Sequence, residues 1–305
     1  MKLGLFVPLI APAATPEFVT RLGREAEARG FDSLWLAEHV VLFDEHASPY
    51  PYAADGRFPA RGESGFVDPF TAIGFLAAVT SQIRLGTGIC LVPQRNPVYV
   101  AKEVASADWL SGGRFDFGVG VGWLAEEFAA VDAPFAERGT RCRSYLEVCR
   151  RLWCDPVSAY DDRFYTLPAC RAYPKPVQQP HPPIHFGGES EAALRRVADV
   201  GQGWYGFNLD SAGLTERLGR LRELLAARGR DLASVEISVS PYLRAFDPAM
   251  LESYHGAGAQ QVILPVFGRS CQEMLARMEK LAASVLEPAR RLGAGSVGTP
   301  AGPRR

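Results

Sequence analysis

Lysine, charged runs and long apolar runs are scarce in this sequence, and each scarcity argues against a class of function. Only four of its 33 basic residues are lysines, and none of the four follows a predicted strand, which argues against a Schiff-base enzyme. The formal net charge is −1 with no run of Lys and Arg, so nucleic acid is not an expected partner. No apolar run is long enough to span a bilayer, so no membrane association is expected.

Cysteine motifs are missing as well. The chain has six cysteines, but it has no C-x-x-C pair and no histidine near a cysteine at the spacing of metal ligands. Neither a zinc site nor a disulfide framework is therefore expected. We interpret the cysteines as reduced, mostly core residues of a cytoplasmic protein: Cys90, Cys142, Cys149, Cys154, Cys170 and Cys271.

What the sequence does contain is a repeated unit of strand, turn and helix, clearest between residues 83 and 123. Residues 83–88 form a short apolar run with glycine at its end. Asn96 and Pro97 then give the cap and first turn of a helix whose apolar stripe extends to Leu110. Two glycines stop that helix, and residues 115–121 have the Gly and Val content of a strand buried on both faces.

Eight such units follow one another along 305 residues, and this alternation predicts a single α/β domain, a (β/α)8 TIM barrel over residues 1–292. Residues 293–305 are predicted to be a disordered tail. An open doubly wound sheet is the fallback, which the absence of G-x-G-x-x-G after the first strand disfavours. The predicted strands are residues 3–8, 33–37, 83–88, 115–121, 184–186, 203–207, 235–239 and 261–264.

Three segments do not fit the simple alternation. Residues 156–183 are predicted to be a hairpin insertion between helix four and strand five, packed on the barrel surface. Residues 40–67 and 123–137 are long loops, and loops of that length in a compact domain are usually lids or binding loops.

Glycines cluster at the ends of the third and fourth strands, at Gly86, Gly88, Gly118, Gly120 and Gly122. In a barrel of this kind the carboxyl ends of the strands form the site, and glycine there lets a flat ligand approach the backbone. The alternative is that glycine only relieves crowding inside the barrel. Two adjacent strands that end alike favour a ligand floor.

The second strand ends in Glu38-His39, at the face where barrel enzymes carry their catalytic groups. A histidine there can donate a proton or a hydrogen bond near neutral pH, with Glu38 as an orienting neighbour. A structural histidine is the alternative, and the adjoining carboxylate favours the functional interpretation. Glu126 is the next candidate for the proton donor.

Gly187-Gly188-Glu189-Ser190 lies at the start of a predicted helix, where free backbone N–H groups and the helix dipole can hold a phosphate. A plain helix cap is the alternative. The next strand end, Gly206-Phe207-Asn208, adjoins the same corner and favours the phosphate. Trp123 could stack on a flat ring or close the top of the barrel.

Four segments carry a resemblance to a known family: FDSLWLAEH, LGTGICLVPQRNPVYVAKEVASADWLSGGRFDFGVGVGW, RSYLEVCRRLW and YPKPVQQPHPPIHFGGESEAALRRVADVGQGW. They occur in order over nearly the whole chain up to about residue 292. In these segments the chain resembles the bacterial luciferase-like superfamily of flavin- and deazaflavin-dependent oxidoreductases, and within it the group assigned to coenzyme F420.

The resemblance implies a barrel with the cofactor ring across the strand ends, commonly as a homodimer. It implies a cis peptide at Gly88–Ile89 beneath the ring and an acidic-His pair at Glu38-His39, although many F420 enzymes carry Asp there. Some sugar-phosphate dehydrogenases of the family have a catalytic Glu where this chain has Trp123, so that substrate is not implied. The lysine that some members use near residues 206–208 is also missing.

The sequence therefore predicts an oxidoreductase that passes a hydride between F420 and a small, fairly apolar organic substrate, with His39 and Glu38 as catalytic residues. A reduced-FMN monooxygenase served by a separate reductase is one alternative, and a non-catalytic flavin-binding barrel is another. The predicted cofactor contacts are Gly88, Ile89, Gly122, Trp123, Gly187, Gly188, Glu189, Ser190, Gly206, Phe207 and Asn208.

Overall fold

The computed structural model describes residues 1–60 and 62–294. Its strands are β1 (Lys2–Val7), β2 (Ile10–Ala11), β3 (Ser33–Leu36), β4 (Gly65–Phe66), β5 (Arg84–Thr87), β6 (Cys90–Leu91), β7 (Phe115–Gly120), β8 (Ser158–Asp161), β9 (Thr166–Cys170), β10 (Ile184–Gly187), β11 (Gly203–Phe207), β12 (Glu236–Ser240) and β13 (Gln261–Pro265). Its helices are α1 (Pro16–Arg29), α2 (Pro69–Val79), α3 (Pro97–Ser111), α4 (Ala125–Ala130), α5 (Arg138–Cys154), α6 (Glu191–Val200), α7 (Ser211–Ala226), α8 (Met250–Ala257) and α9 (Cys271–Ala294).

Eight of the described strands close into a parallel barrel. Their order around it is β10, β11, β12, β13, β1, β3, β5 and β7, and β7 pairs again with β10. The closing pair is in parallel register, with Ile184 opposite Phe117. The predicted (β/α)8 barrel is thus confirmed, and because β1 lies four positions from β10 in this order, these two strands stand on opposite sides of the barrel mouth.

The helices begin and end where their local sequence directs. Thr15 caps α1 by accepting the N–H of Phe18 at 3.2 Å, and Pro16 occupies the first turn. Gly30 ends the helix in the left-handed conformation, with φ of 91°. Such signals lie within a few residues of each boundary. The helix predicted from Pro97 to Leu110 therefore agrees with α3 to within one residue.

The barrel interior is filled by aromatic side chains, and some of the glycines make room for them. Trp35 is fully buried, and a Cβ added to Gly86 would lie 2.7 Å from its indole ring. A Cβ on Gly118 would overlap the carbonyl oxygen of Thr87 and lie 3.2 Å from the same indole. For Gly86 and Gly118 the crowding interpretation therefore holds, and they do not form a ligand floor.

The segments outside the alternation have the following structure. Residues 156–183 contain the antiparallel hairpin β8–β9, as predicted. The two loops hold short elements that the sequence did not indicate: β4 pairs antiparallel with β2, and α4 follows β7. The closing helix α9 continues two residues past its predicted end, and the predicted disorder beyond residue 294 lies outside the described residues.

The described part of the chain lacks two kinds of feature. No helix there is long and apolar enough to cross a membrane. Over the same residues, no group of three or more His, Cys, Asp and Glu side chains could hold a metal ion.

Candidate active site

A cavity of about 1030 Å³ opens at the carboxyl ends of the barrel strands. Its two ends differ in chemistry. The polar end, above β10 and the start of α5, consists of Arg138, Gly188, Glu189, Ser190 and Arg196. The apolar end, above β13, β1 and β3, consists of Ile10, Phe58, Phe66, Phe267 and Met274.

The floor between the two ends is the turn after β5. The Gly88–Ile89 peptide is cis, as the resemblance implied, and both residues line the cavity. The Ile89 side chain fits over the neighbouring strand ends, because a Cβ on Gly187 would lie 2.9 Å from it and a Cβ on Gly120 would overlap it. Glycine at these two strand ends therefore seats the side chain of Ile89, which in turn forms part of the floor.

His39 lies at the cavity wall with its side chain 8% exposed. Its Nδ1 is 3.3 Å from Oε2 of Glu127, a fully buried carboxylate on α4. Burial alone would raise the pKa of Glu127, but hydrogen bonds from His39, Gln94 and the N–H of Val40 lower it instead. Because an ionised carboxylate only accepts hydrogen bonds, Nδ1 carries the proton, and Nε2 has no hydrogen-bond partner among the described residues.

Helix α4 also holds the lid loop, residues 40–60. Oε1 of Glu127 accepts the N–H of Val40 at 2.7 Å, and Oε1 of Glu126 accepts the N–H groups of Ala47 and Ser48 at 2.6 and 3.2 Å. Two adjacent carboxylates thus fix two points of the lid loop. Glu126 is thus bound to the lid loop, and no sequence motif indicates the pairing of His39 with Glu127.

Glu38 does not orient His39, which corrects the expectation. Its side chain is 1% exposed and is directed to Arg95, whose Nη2 lies 2.5 Å from Oε1. It also accepts the N–H of Leu91 at 2.7 Å. Successive strand residues point to opposite faces, so neighbouring positions in the sequence place these two side chains in different environments. Glu38 therefore fixes the turn that follows Ile89.

The polar end is built around the first turn of α6. Ser190 caps this helix by accepting the N–H of Ala193 at 3.2 Å, and its hydroxyl proton is not used in that bond. Gly188 has a φ of 99°, which a side chain rarely tolerates, and a Cβ there would lie 3.2 Å from Ala193. A helix cap and an anion site are therefore compatible at this turn. Ser190 caps α6, and its hydroxyl proton and the free N–H groups of the first turn remain available to a phosphate.

Two arginines flank this turn without a carboxylate partner among the described residues. Arg196 lies on α6, and Arg138 donates through Nε to the carbonyl of Gly122 at 3.0 Å and stacks on Phe135. Burial lowers the pKa of Arg196, and burial together with Arg196 lowers the pKa of Arg138. Both cations are therefore destabilised in the free protein, and an anion bound between them would relieve this.

Glu189 is the acidic member of the polar end. Its carboxylate accepts the N–H of Phe207 at 2.7 Å and the hydroxyl of Tyr52, from the lid loop, at 3.2 Å. Burial raises the pKa of Glu189 to about 7, although both hydrogen bonds oppose the shift. Near neutral pH this group is therefore partly protonated, which reduces its repulsion of a neighbouring phosphate.

Gly206 and Asn208 are not among the residues that line the cavity, whereas Phe207 is. A Cβ on Gly206 would lie 3.0 Å from the side chain of Leu209 and 3.1 Å from that of Trp204. The Asn208 side chain donates to the carbonyl of Tyr52 at 3.2 Å. These two residues, predicted as cofactor contacts, therefore pack β11 and hold the lid loop.

Aromatic rings close the top of the cavity. Tyr50 of the lid loop is 5% exposed and donates to the hydroxyl of Tyr242 at 2.9 Å. The ring of Trp123, one of the predicted contacts, lies 5.1 Å from Tyr50 and 6.2 Å from His39. The lid loop thus presents mainly aromatic surface to the top of the cavity.

The chain is similar in sequence to known proteins of one family. The family model described as luciferase-like monooxygenase matches residues 1–290. The "Uncharacterized protein Rv0953c" of Mycobacterium tuberculosis is 32% identical over 288 residues, which are 93% of this chain and 99% of that protein. The FMNH(2)-dependent dimethylsulfone monooxygenase of Pseudomonas putida is 31% identical over 176 residues, 56% of this chain and 47% of that protein.

Among solved structures, the chain is similar to the coenzyme F420 dependent tetrahydromethanopterin reductase from Methanopyrus kandleri. The TM-score is 0.73 at 16% identity, and the match covers 94% of this chain and 99% of that chain. At this identity the likeness concerns the fold.

Proposed function

The chain belongs to the luciferase-like monooxygenase family, and from that premise we propose that it transfers a hydride between coenzyme F420 and a small organic substrate. The observation that carries the proposal is the pairing of His39 with the ionised Glu127 at the wall of a cavity whose polar end fits a phosphate. A carrier that only bound the cofactor would not need a buried acid–base pair beside the floor.

The residues at the polar end fit the phosphate of a flavin or deazaflavin. Arg138 and Arg196 would supply charge, and Ser190 and the first N–H groups of α6 would supply hydrogen-bond donors. The ring would then extend over Gly88 and Ile89, toward the opposite side of the barrel mouth. Trp123 and Tyr50 would cover it and exclude water.

When bound, the deazaflavin supplies a two-electron hydride donor or acceptor. His39 holds the matching proton: with Nδ1 fixed on Glu127, Nε2 is the nitrogen that gives a proton to the substrate atom next to the reacting carbon, or takes one from it. In the reducing direction the substrate gains one hydride and one proton, and His39 recovers its proton from solvent. Tyr50 and the lid loop confine the substrate during this exchange.

A reduced-FMN monooxygenase, served by a separate reductase, is the second candidate. The aromatic covering of the cavity favours it, because chemistry with oxygen on a flavin requires a site from which water is excluded. Both cofactor types occur in the names of similar proteins.

Titration of the apo protein with F420 and with FMN, followed by ring fluorescence, separates the two candidates. We expect F420 to bind more tightly than FMN, and each to bind more tightly than its analogue without the phosphate. Tighter binding of FMN, with oxygen-dependent turnover once a reductase is supplied, would replace the first candidate by the second. Failure of both cofactors to bind would contradict the proposal as a whole.

We also propose that the protein is a homodimer. Helix α3 leaves large apolar side chains on the surface, with Tyr99 72%, Trp109 57% and Leu110 67% exposed, and exposed apolar surface of this kind marks interaction sites. Sedimentation velocity should give a dimer for the wild type and a monomer for Trp109→Glu. A wild-type monomer at micromolar concentration would contradict it.

A further inference from the structure

The apolar end of the cavity is distinct from the site proposed for the cofactor. In barrel order, the loops that form it follow β13, β1 and β3, whereas the polar end stands above β10 on the opposite side. Ile89, which follows β5, lies halfway between β3 and β7 and separates the two ends. A cavity of about 1030 Å³ is at the upper limit of small-molecule sites, which suits two ligands rather than one.

The walls of the apolar end are tied together by backbone contacts. Ile10 of β2 is opposite Phe66 of β4 in an antiparallel pair, and the N–H of Val67 donates to the carbonyl of Leu9 at 2.9 Å. On the other side, the thiol of Cys271 donates to the carbonyl of Ala13 at 2.9 Å. The wall residues are therefore held in place before any ligand binds.

Aromatic contacts connect these walls to the acid–base pair. The His39 ring lies 4.8 Å from Phe58 and 5.4 Å from Phe66, measured between ring centroids. Phe267 lies 6.2 Å from Phe6, a ring of the barrel interior. A molecule in the apolar end would thus contact hydrocarbon on most sides and meet the imidazole at the side that faces the floor.

Charge is nearly absent from this end. Among the described residues that line this end, the charged side chains are Arg269, which is exposed at the rim, and Glu38, which is buried and paired with Arg95. A carboxylate or ammonium group bound against Phe58, Phe66 and Phe267 would lose its hydration without gaining a partner. This environment selects uncharged molecules.

We infer that the apolar end is the substrate subsite and that it takes an uncharged, largely hydrocarbon ring compound with one polar atom placed against His39. The inference rests on the proposed function and names the class of substrate for it. The hydrocarbon body is bound by Ile10, Phe66, Phe267 and Met274, and the polar atom lies where His39 can exchange a proton with it. Substrate and cofactor bind together, each at its own end.

Binding of 2-naphthol, an uncharged bicyclic probe, tests the inference without requiring turnover. Its affinity is measured by calorimetry for the apo protein and for the protein loaded with F420 or FMN, whichever binds. We expect 2-naphthol to bind both forms and 2-naphthoate, its carboxylate counterpart, to bind at least about tenfold more weakly. Equal binding of the two probes, no binding of 2-naphthol at millimolar concentration, or its displacement by the cofactor would each overturn the inference.

Substitutions in the wall of the apolar end test whether 2-naphthol binds there. Phe267→Ser should weaken the binding of 2-naphthol about tenfold or more, because it removes apolar contact. It should leave the dissociation constant of the cofactor unchanged, and this result would also show that the variant is folded. Tyr173→Ser, at a ring that is 57% exposed on the outer surface, is the matched control and should change neither. Met274→Gln serves as a second variant if Phe267→Ser does not fold. Unchanged naphthol affinity in a folded wall variant would overturn the assignment.

The same measurements separate this inference from the proposed function. If neither cofactor binds while naphthol binding still depends on Phe267, the proposed function fails and the apolar subsite remains. If a cofactor binds and naphthol does not, the subsite fails alone.

Discussion

The two ends of the cavity are built by different means. The polar end comes from one short segment, Gly188 to Ser190, with Arg196 on the helix that follows and Arg138 on a neighbouring helix. The apolar end combines side chains from four segments: residue 10, residues 58 and 66, residue 267 and residue 274. The polar end depends on backbone donors and unpaired charge, whereas the apolar end depends on tertiary packing alone. A charged ligand can therefore be recognised locally, but a hydrocarbon ligand requires the whole fold.

The largest effect is expected when the positive charge of the polar end is removed. Arg138→Ala combined with Arg196→Ala should raise the dissociation constant of the cofactor about a thousandfold, because each lost bond to a charged group costs about 2 kcal/mol. Affinity for 2-naphthol should not change. Arg195→Ala, at a residue that is 58% exposed and paired with Glu191, is the control and should bind the cofactor normally. Equal losses for both ligands would show that the two ends are not independent.

A change at the junction of the two ends should leave both binding sites intact. His39→Ala should keep cofactor and naphthol affinity within a few-fold and reduce turnover about a hundredfold or more, the scale of a lost general acid. Steady-state assays with a substrate of the holoenzyme measure this. Normal turnover with collapsed cofactor binding would make His39 a cofactor ligand and move the proton donor elsewhere.

The pH dependence of the unfolding free energy tests whether the pKa of Glu189, the acidic residue of the polar end, is raised. The pKa of Glu189 is raised from 4.5 to about 7 by burial, so folding favours its neutral form. The stability from this preference is fully present below pH 4.5 and is lost as the pH rises through about 7. Between these limits the wild type should lose about 3 kcal/mol more unfolding free energy than Glu189→Gln.

Urea unfolding across that pH range measures the difference between the two proteins. Parallel pH profiles for wild type and Glu189→Gln would show that Glu189 titrates normally. The polar end would then carry a full negative charge beside the bound phosphate at neutral pH.

The smallest expected effect concerns the helix cap. Ser190→Ala should weaken cofactor binding about fivefold, because it removes one hydrogen bond from a neutral hydroxyl, which contributes about 1 kcal/mol, and it should cost about 1 kcal/mol of stability through the lost cap. Thr15→Ala removes the equivalent cap of α1, so it should cost similar stability without affecting the cofactor. If the two variants bind the cofactor equally well, Ser190 serves the helix alone.

The same contrast explains what the sequence predicts well. The barrel and its helix boundaries depend on caps such as Thr15 and stops such as Gly30, which act over a few residues. The phosphate site predicted at Gly188 and Ser190 rests on two residues that lie two positions apart in the chain. The role predicted for His39 rests on its position at a strand end, and both roles stay predictions.

The remaining site residues depend on contacts between distant segments. Glu127 pairs with a residue 88 positions away, and a short helix with no side-chain cap carries it, so no local signal marked it. Arg138 and Arg196 look like ordinary helix residues until the fold brings α5 beside α6. Gly206 and Asn208 were assigned to the cofactor because they end a strand, but the direction of a strand-end residue depends on the register of the barrel.

The two adjacent glutamates of α4 have a consequence for engineering. Because Glu126 and Glu127 hold the lid loop at separate points, the loops after β3 and β7 form one mechanical unit although 60 or more residues separate them in the chain. A lid loop transplanted from a relative would lose its anchors unless the segment from Trp123 to Ala130 were exchanged with it. Substrate range in this barrel should therefore be altered by exchanging pairs of loops together.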